Sequence, residues 1–210
     1  LFYNLNYTQE DSQKALMYSQ QSKREKTKLN FDDINDYLSS LELKMQFFDD
    51  NASRVERLSQ MTQKTNQFNL TTKRYTEKDI ENFIEGTNHE VYSFSLSDKF
   101  GDNGITGLCV IKIFLEDRKA YIDSFLMSCR VIGRNIEYVF IKKIIEQLES
   151  KGIEYLESEY LKTLKNSQVE EFYNSCSFQE KSKTNSSVFY SNKIKDIIIE
   201  DHEYIEVTYG

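Results

Sequence analysis

Two periods of apolar and polar positions run along this chain, and the switches between them mark its elements. Residues 120–128 read as a strand rich in Tyr, Ile, Phe and Leu. Ile136, Phe140, Ile141, Ile144 and Leu148 then recur at helical spacing and predict one apolar helix face. Lys151 falls in the last turn of that helix and Gly152 ends it. A polar turn, residues 128–135, joins strand to helix. Leu43, Met45 and Phe47 alternate with polar residues as a half-buried strand does, and residues 90–97 alternate likewise. Residues 105–115 predict a strongly apolar strand, with a hairpin at 116–119 leading into the strand at 120. Residues 153–157 predict a short strand, parallel to that one because a single helix joins them, with a right-handed crossover.

The remaining helices are announced by caps. Thr8, with Glu10 and Asp11 in the first turn, opens one. Asn30 and Asp33 open a second, with Ile34, Tyr37, Leu38 and Leu41 on one side. Residues 51–64 predict a third, with Val55, Leu58 and Met61 inward. Thr76 and Asp79 form a capping box for a fourth. Asn166 is placed to cap a helix whose face is Val169, Phe172 and Tyr173. Phe178 and Val188 to Tyr190 read as a closing hairpin, and residues 204–208 as one more strand or a tail. Asp98 and Asp102 read as turn formers.

Composition narrows the classes. The 210 residues carry a net charge of −7, which argues against a nucleic-acid surface. No apolar run approaches the ~20 residues of a membrane helix, and no signal peptide pattern is present. Three widely spaced cysteines, Cys109, Cys129 and Cys176, read as reduced thiols of a cytoplasmic protein. Two histidines and no Cys-x-x-Cys argue against a zinc site. A chain that begins at Leu1 reads as a fragment or a processed protein.

The polar turn carries the candidate chemistry. A strand feeding a Gly-containing turn at a helix N-terminus makes an anion cradle from free N–H groups and the helix dipole. Arg130 and Arg134 flank it and suit a phosphate or pyrophosphate. Cys129 lies at its mouth, where a helix N-terminus and neighbouring arginines suit a nucleophilic thiol. Asp123 sits inside the strand and needs a partner, Arg130 or a hydroxyl. Lys64, Asn66, Gln67, Asn69 and Thr71 fall in a stretch dense in amides and hydroxyls, which either satisfies a buried loop or offers donors to an anionic or polyhydroxyl substrate.

The spacing Arg130-x-x-Gly133-x-Asn135 resembles the acyl-donor motif of the GNAT acyltransferases, (Gln/Arg)-x-x-Gly-x-(Gly/Ala), with Asn135 where Gly or Ala is usual. Longer stretches are similar to the C-terminal half of FkbH-like proteins: Thr8-x-Glu10-Asp11, Gln63-Lys64-Thr65-Asn66-Gln67-Phe68-Asn69-Leu70-Thr71-Thr72, Asp98-x-Phe100-Gly101-Asp102-Asn103-Gly104, Ser128-Cys129-Arg130-Val131-x-Gly133-Arg134 and Lys165-Asn166-x-x-Val169-x-x-Phe172-Tyr173. Ser177 stands where the family tends to have Gly. The resemblance implies an α+β fold, a GNAT-like mixed β-sheet flanked by helices over residues 43–210. Residues 1–42 become a helical appendage, the end of a HAD-type domain or a linker.

The implied activity moves an acyl group, a glyceryl unit in the family, onto the phosphopantetheine thiol of an acyl carrier protein. Its cofactor is coenzyme A or carrier-bound phosphopantetheine, with no metal. Arg130, Val131, Ile132, Gly133, Arg134, Asn135 and Asn166 are the implied cofactor contacts. Cys129 and Asp123 are candidate catalytic groups by their own setting, Asp123 equally a structural one, and the resemblance to GNAT enzymes adds Tyr173, otherwise a core residue. The partners are the carrier protein and a HAD-type phosphatase domain or chain, whose Asp-x-Asp motif is absent from these residues. Two rivals are a non-catalytic carrier-binding or scaffold module and an N-acyltransferase using acyl-CoA.

Overall fold

The two most apolar strands expected from the sequence, at residues 105–115 and from 120 onward, lie at the centre of one large sheet. The computed structural model describes residues 9–49 and 52–210, with side chains from Ala15 onward. The predicted helix starts at Thr8 and Asn51 lie outside the described residues. Helix α1 (Gln9–Lys28) leads to α2 (Ile34–Ser39), capped by Asp33, which accepts the N–H groups of Asn35 and Asp36 at 2.6 and 3.3 Å. Next come β1 (Leu43–Asp49), α3 (Val55–Lys64), β2 (Phe68–Asn69) and α4 (Glu77–Glu85). Helix α4 starts at the Thr76–Asp79 capping box. Then follow β3 (His89–Asp98), β4 (Gly101–Phe114), β5 (Lys119–Met127), α5 (Ile136–Ser150) and β6 (Tyr155–Leu161). The chain closes with α6 (Phe172–Ser175), β7 (Glu180–Lys183), β8 (Ser187–Lys193) and β9 (Ile205–Tyr209).

The strand order is β7-β8-β6-β5-β4-β3-β1-β9. Pairing is antiparallel except at β5–β6 and β1–β9, which are parallel. The predicted parallel partner of the β5 strand is therefore present, and residues 205–209 are a strand beside β1. One core cluster lies on the α5 side, where Phe47, Phe94, Phe125 and Phe140 meet. The other lies under α3 and α4 and joins Val55, Leu58, Met61 and Ile80 to Leu108, Val110 and Leu126. Gly107 is needed where the sheet meets Phe94, since a Cβ there would lie 1.9 Å from the ring.

Three departures from the predicted elements matter for the site. Strand β4 starts at Gly101, four residues before the predicted 105, because the Asp98 carboxylate accepts the N–H groups of Phe100 and Gly101 and lets both strands run into the turn. Asn166 makes no side-chain cap; a 3-10 turn, Ser167–Val169, and the four-residue α6 replace the predicted helix. The stretch at 63–72 contains β2, which pairs antiparallel with β5, Phe68 opposite Met127 and Asn69 opposite Leu126. Phe68 and Leu70 are fully enclosed, and this burial draws the strand in.

Strand β2 closes a gap. Strands β5 and β6 pair only from Lys119 to Ile122 against Tyr155 to Ser158. Asp123 follows as a bulge, because Ile111 faces Ile122 while Val110 faces Ser124. Beyond it, the Leu70 N–H donates to Phe125 O at 3.1 Å and the Leu161 N–H donates to Leu70 O at 2.8 Å. The backbone groups of both strand edges are thus used by the chain itself.

Candidate functional site

Parallel strands present their carboxyl ends together, and crevices outside such ends are where ligands collect. Past the ends of β5 and β6 lies a cleft of about 750 Å³. Arg57, Gln60, Met61 and Lys64 line it from α3, and Thr65, Asn66 and Gln67 from the loop that follows. Ser128, Cys129 and Arg130 form its wall after β5, with Leu164 and Lys165 after β6. Arg57, Lys64, Arg130 and Lys165 are basic, and no Asp or Glu lines the cleft among the described residues.

The cations have few counter-charges. Arg57 donates to Ile105 O at 2.9 and 3.3 Å. Burial, and after it the charge of Arg130, pushes the Arg57 pKa down. Two facing guanidinium groups with no carboxylate between them favour an anion. Among the described residues, the side chain of Arg130 contacts only Ser128 Oγ at 3.3 Å and Met17 Sδ at 2.6 Å, both weak acceptors. Cys129 is exposed in this setting. Cys109 and Cys176 are buried thiols, and burial raises both pKa values, that of Cys176 to about 12.

The turn itself is not a simple cradle. A 3-10 turn, Cys129–Val131, precedes Gly133 at φ 80° and Asn135 at φ 61°, and α5 begins only at Ile136. Asn is among the residues that tolerate this conformation. Cys129 therefore stands well ahead of the helix and opens onto α3. Gly133 is exposed, Val131 is buried and Ile132 half-buried. Arg134 turns inward, donating to Asp98 Oδ2 at 3.1 Å and to Arg130 O at 3.0 Å. Asn135 donates from Nδ2 to the Tyr204 hydroxyl at 2.9 Å, and that hydroxyl donates to Arg134 O at 3.3 Å. Of the two arginines expected at the cradle, only Arg130 lines the cleft.

Asp98 holds this turn from beneath. Its carboxylate accepts Arg24 at 2.6 and 2.9 Å as well as Arg134, and its side chain has no exposed surface. It is the turn former expected and also the anchor of two buried arginines. Arg24 belongs to α1, so the first helix is tied to the turn through one carboxylate.

The other expected site residues divide into two groups. Lys64, Asn66 and Gln67 line the cleft, with Asn66 Oδ1 accepting from Arg74. Asn69, Thr71 and Asn166 are buried in the seam around β2. Asn69 bonds Thr65 O and the Thr72 N–H at 3.2 and 2.8 Å, and Thr71 donates to Asp123 O at 3.0 Å. Asn166 donates to Asn69 O and Leu161 O, each at 2.9 Å, and accepts the Thr163 N–H at 2.8 Å. Asp123 is held by Lys73 at 2.6 Å and by the Tyr75 hydroxyl, so its partners are a lysine and a hydroxyl and not Arg130. It lies outside the Cys129 cleft. Tyr173 is enclosed, with the Ser158 hydroxyl beside its own, and burial pushes its pKa well up. Ser177 holds φ 59° where the family resemblance expects Gly.

Sequence reasoning passed over Arg57, Gln60 and Lys165. The signal for the first two was present: Arg57, Gln60, Met61 and Lys64 follow the i, i+3, i+4, i+7 spacing of one helix stripe, free of acids.

The sequence matches no protein-family model and no curated protein. Solved structures do match. The ribosomal-protein-S18-alanine N-acetyltransferase of Escherichia coli is similar with a TM-score of 0.55 at 13% identity, over 71% of this chain and 94% of that one. PaiA N-acetyltransferase from Thermoplasma acidophilum, solved in complex with coenzyme A, gives 0.55 at 14% identity, over 71% and 98%. An acetyltransferase of the GNAT family from Staphylococcus aureus Mu50 gives 0.55 at 14% identity, over 71% and 99%. These likenesses are of fold, and they show that the chain is built on the GNAT fold, a mixed sheet flanked by helices.

Proposed function

We propose that this domain is an acyltransferase that moves an acyl group onto a thiol through Cys129, with the phosphopantetheine arm of an acyl carrier protein as acceptor. The observation that carries this reading is an exposed cysteine in a cleft whose described lining residues include four cations and no carboxylate. The FkbH-like stretches support a glyceryl unit as the acyl group and a HAD-type phosphatase as a further partner.

The donor set fits a phosphate-bearing arm. Lys64, Lys165, Arg57 and Arg130 would hold its phosphate, and Gln60, Asn66 and Gln67 offer amides to its polar backbone. When bound, the arm supplies a free thiol close in chemistry to cysteine. The Cys129 Sγ adds to the carbonyl carbon of an acyl phosphate, the C–O bond breaks, and the departing phosphate takes the thiol proton. The cations stabilise the charge on that leaving group. In the second step Cys129 Sγ leaves the acyl carbon as the acceptor thiol adds, and takes up that thiol's proton. No external base is required, which suits a cleft without His, Asp or Glu among its described residues.

The test is mass spectrometry after incubation with an acyl phosphate, with Cys129→Ser as the comparison. An adduct on Cys129, none on Cys109 or Cys176, and loss of transfer in Cys129→Ser are expected. Full transfer by Cys129→Ser overturns the covalent route. The second reading, N-acyl transfer from acyl-CoA, takes its support from the N-acetyltransferases of like fold. Acylation of an amine by Cys129→Ser would favour it.

A further inference from the structure

The Cys129 cleft has a rim as well as a floor. Leu164, in the turn after β6, borders the cleft, and its side chain is fully exposed. Resting on the protein-borne acceptor thiol of the preceding section, we propose that Leu164, Lys64 and Lys165 form a docking face for the acidic surface of the protein that carries the arm.

A single exposed leucine is ordinary on a protein surface, but the turn that presents this one is pinned. Asn166 lies fully buried at its base. Its Oδ1 accepts the Thr163 N–H at 2.8 Å and the Thr163 hydroxyl at 2.9 Å. Its Nδ2 donates to Leu161 O and Asn69 O, and the Thr163 hydroxyl accepts the Lys165 N–H at 3.3 Å. Leu164 is therefore held out in water by a fixed backbone. A contact made by a preordered turn loses little conformational freedom on binding. On the other side of Arg130, which also lines the cleft, Tyr18 of α1 is largely exposed beside a neighbouring groove. A small ligand seated in the cleft covers one side of Leu164 at most, whereas a body of protein size can enclose it. Apolar and aromatic anchors of this kind carry much of the energy of protein interfaces.

Charge says which kind of protein. The chain has a net charge of −7, yet the described lining of this cleft carries four cations and no carboxylate. The phosphate of a carrier-bound arm is a singly charged diester, so it leaves most of that charge unmet. Arg57 and Arg130 are half-buried inside the cleft, and Lys64 and Lys165 are exposed at its rim. Lys162 nearby is paired with Glu170 at 3.4 Å, but neither rim lysine meets a carboxylate among the described residues. The surplus therefore faces outward, where carboxylates of a partner can meet it. Complementary charge of this kind steers and orients a partner.

Binding is measured by calorimetry in a Cys129→Ser background, so that no transfer chemistry enters. The probes are an acidic holo-acyl carrier protein, its apo form without the arm, and coenzyme A. Both carrier forms should bind, the holo form more tightly, and both should loosen in 1 M salt. Leu164→Ser should weaken the apo and holo forms alike by about tenfold, the worth of burying one leucine, and leave coenzyme A unchanged. Its melting temperature should hold, because the side chain has no packing to lose. Carrier affinity unchanged by Leu164→Ser overturns the docking face and leaves the thiol reading standing. No binding of the apo carrier up to about 1 mM, the weak end of recognition, overturns it as well. Apo binding that Leu164→Ser weakens, with no gain from the arm, keeps the docking face and sinks the thiol reading instead. Slower sedimentation of Leu164→Ser with carrier affinity intact assigns Leu164 to a contact between copies of this chain, and also overturns the proposal.

Discussion

Replacing Asp98 with Asn isolates the worth of one buried carboxylate. The amide oxygen can still accept the N–H groups of Phe100 and Gly101, so the turn keeps its hydrogen bonds. What disappears is the charge faced by Arg24 and Arg134, whose side chains are only 4% and 7% exposed. Removing one partner of a buried ion pair costs about 3–5 kcal/mol. Two cations are stranded here, which places the loss near 4–5 kcal/mol. That is a large part of the 5–15 kcal/mol that stabilises a typical domain. In urea the midpoint should fall with the slope unchanged. By calorimetry Tm should drop by roughly 8–20 °C, at 2–4 °C per kcal/mol for a chain of this size. Arg24→Met combined with Asp98→Asn should be less damaging than the sum of the two, since one stranded cation is gone. A loss under about 1 kcal/mol for Asp98→Asn would refute the reasoning, because it would mean that the guanidinium groups are solvated without the carboxylate.

Three further outcomes are expected. Burial raises the Glu137 pKa to about 7 from 4.5, and its Oε2 is unpaired. A raised folded-state pKa favours the folded state below pH 4.5 and loses that advantage as pH climbs to about 7. Glu137→Gln should therefore match the parent near pH 4 and exceed it at pH 8 by about 3 kcal/mol, measured by urea titration; identical pH profiles would count against this. Asn166→Ala strands Asn69 O, Leu161 O and the Thr163 N–H, and should cost about 3 kcal/mol. Faster amide exchange at Leu70 would accompany it, and unchanged exchange would exclude a role in the seam. Lys64→Glu puts a carboxylate among the cleft cations; affinity for an anionic arm should fall about tenfold in low salt and the deficit should shrink in 1 M salt, as read by calorimetry.

Elements with a sustained period were legible in the sequence. The α5 face, the alternation in β1 and the Thr76–Asp79 box are local signals, and the structure realises each; in β3 the alternation holds only from Phe94 onward, because Val91 to Phe94 are buried on both faces of the sheet. The seam at β2 was not. Two residues among amides carry no period, and their partner strand is far along the chain. Asp98 was legible as a turn former but not as an anchor, since its arginines lie 74 and 36 residues away. Within the candidate site, Lys64, Asn66, Gln67, Cys129 and Arg130 were readable because they cluster in two short stretches. Arg57 and Lys165 join them only when α3 and the end of β6 are brought together in space.

Strand β9 bears on how the sheet edge is protected while the chain is made. It is the outermost strand on its side, pairing with β1 from Leu43 to Phe47. Without it, β1 would offer a row of unpaired N–H and C=O groups beside Leu43, Met45 and Phe47, a template for strands of other chains. Synthesis delivers β9 long after β1, on the order of 10–30 s later at 5–20 residues per second. During that interval the edge has no partner from its own chain. Lys44 then provides the safeguard: its charge points outward from the strand until Glu206 arrives to meet it at 3.3 Å.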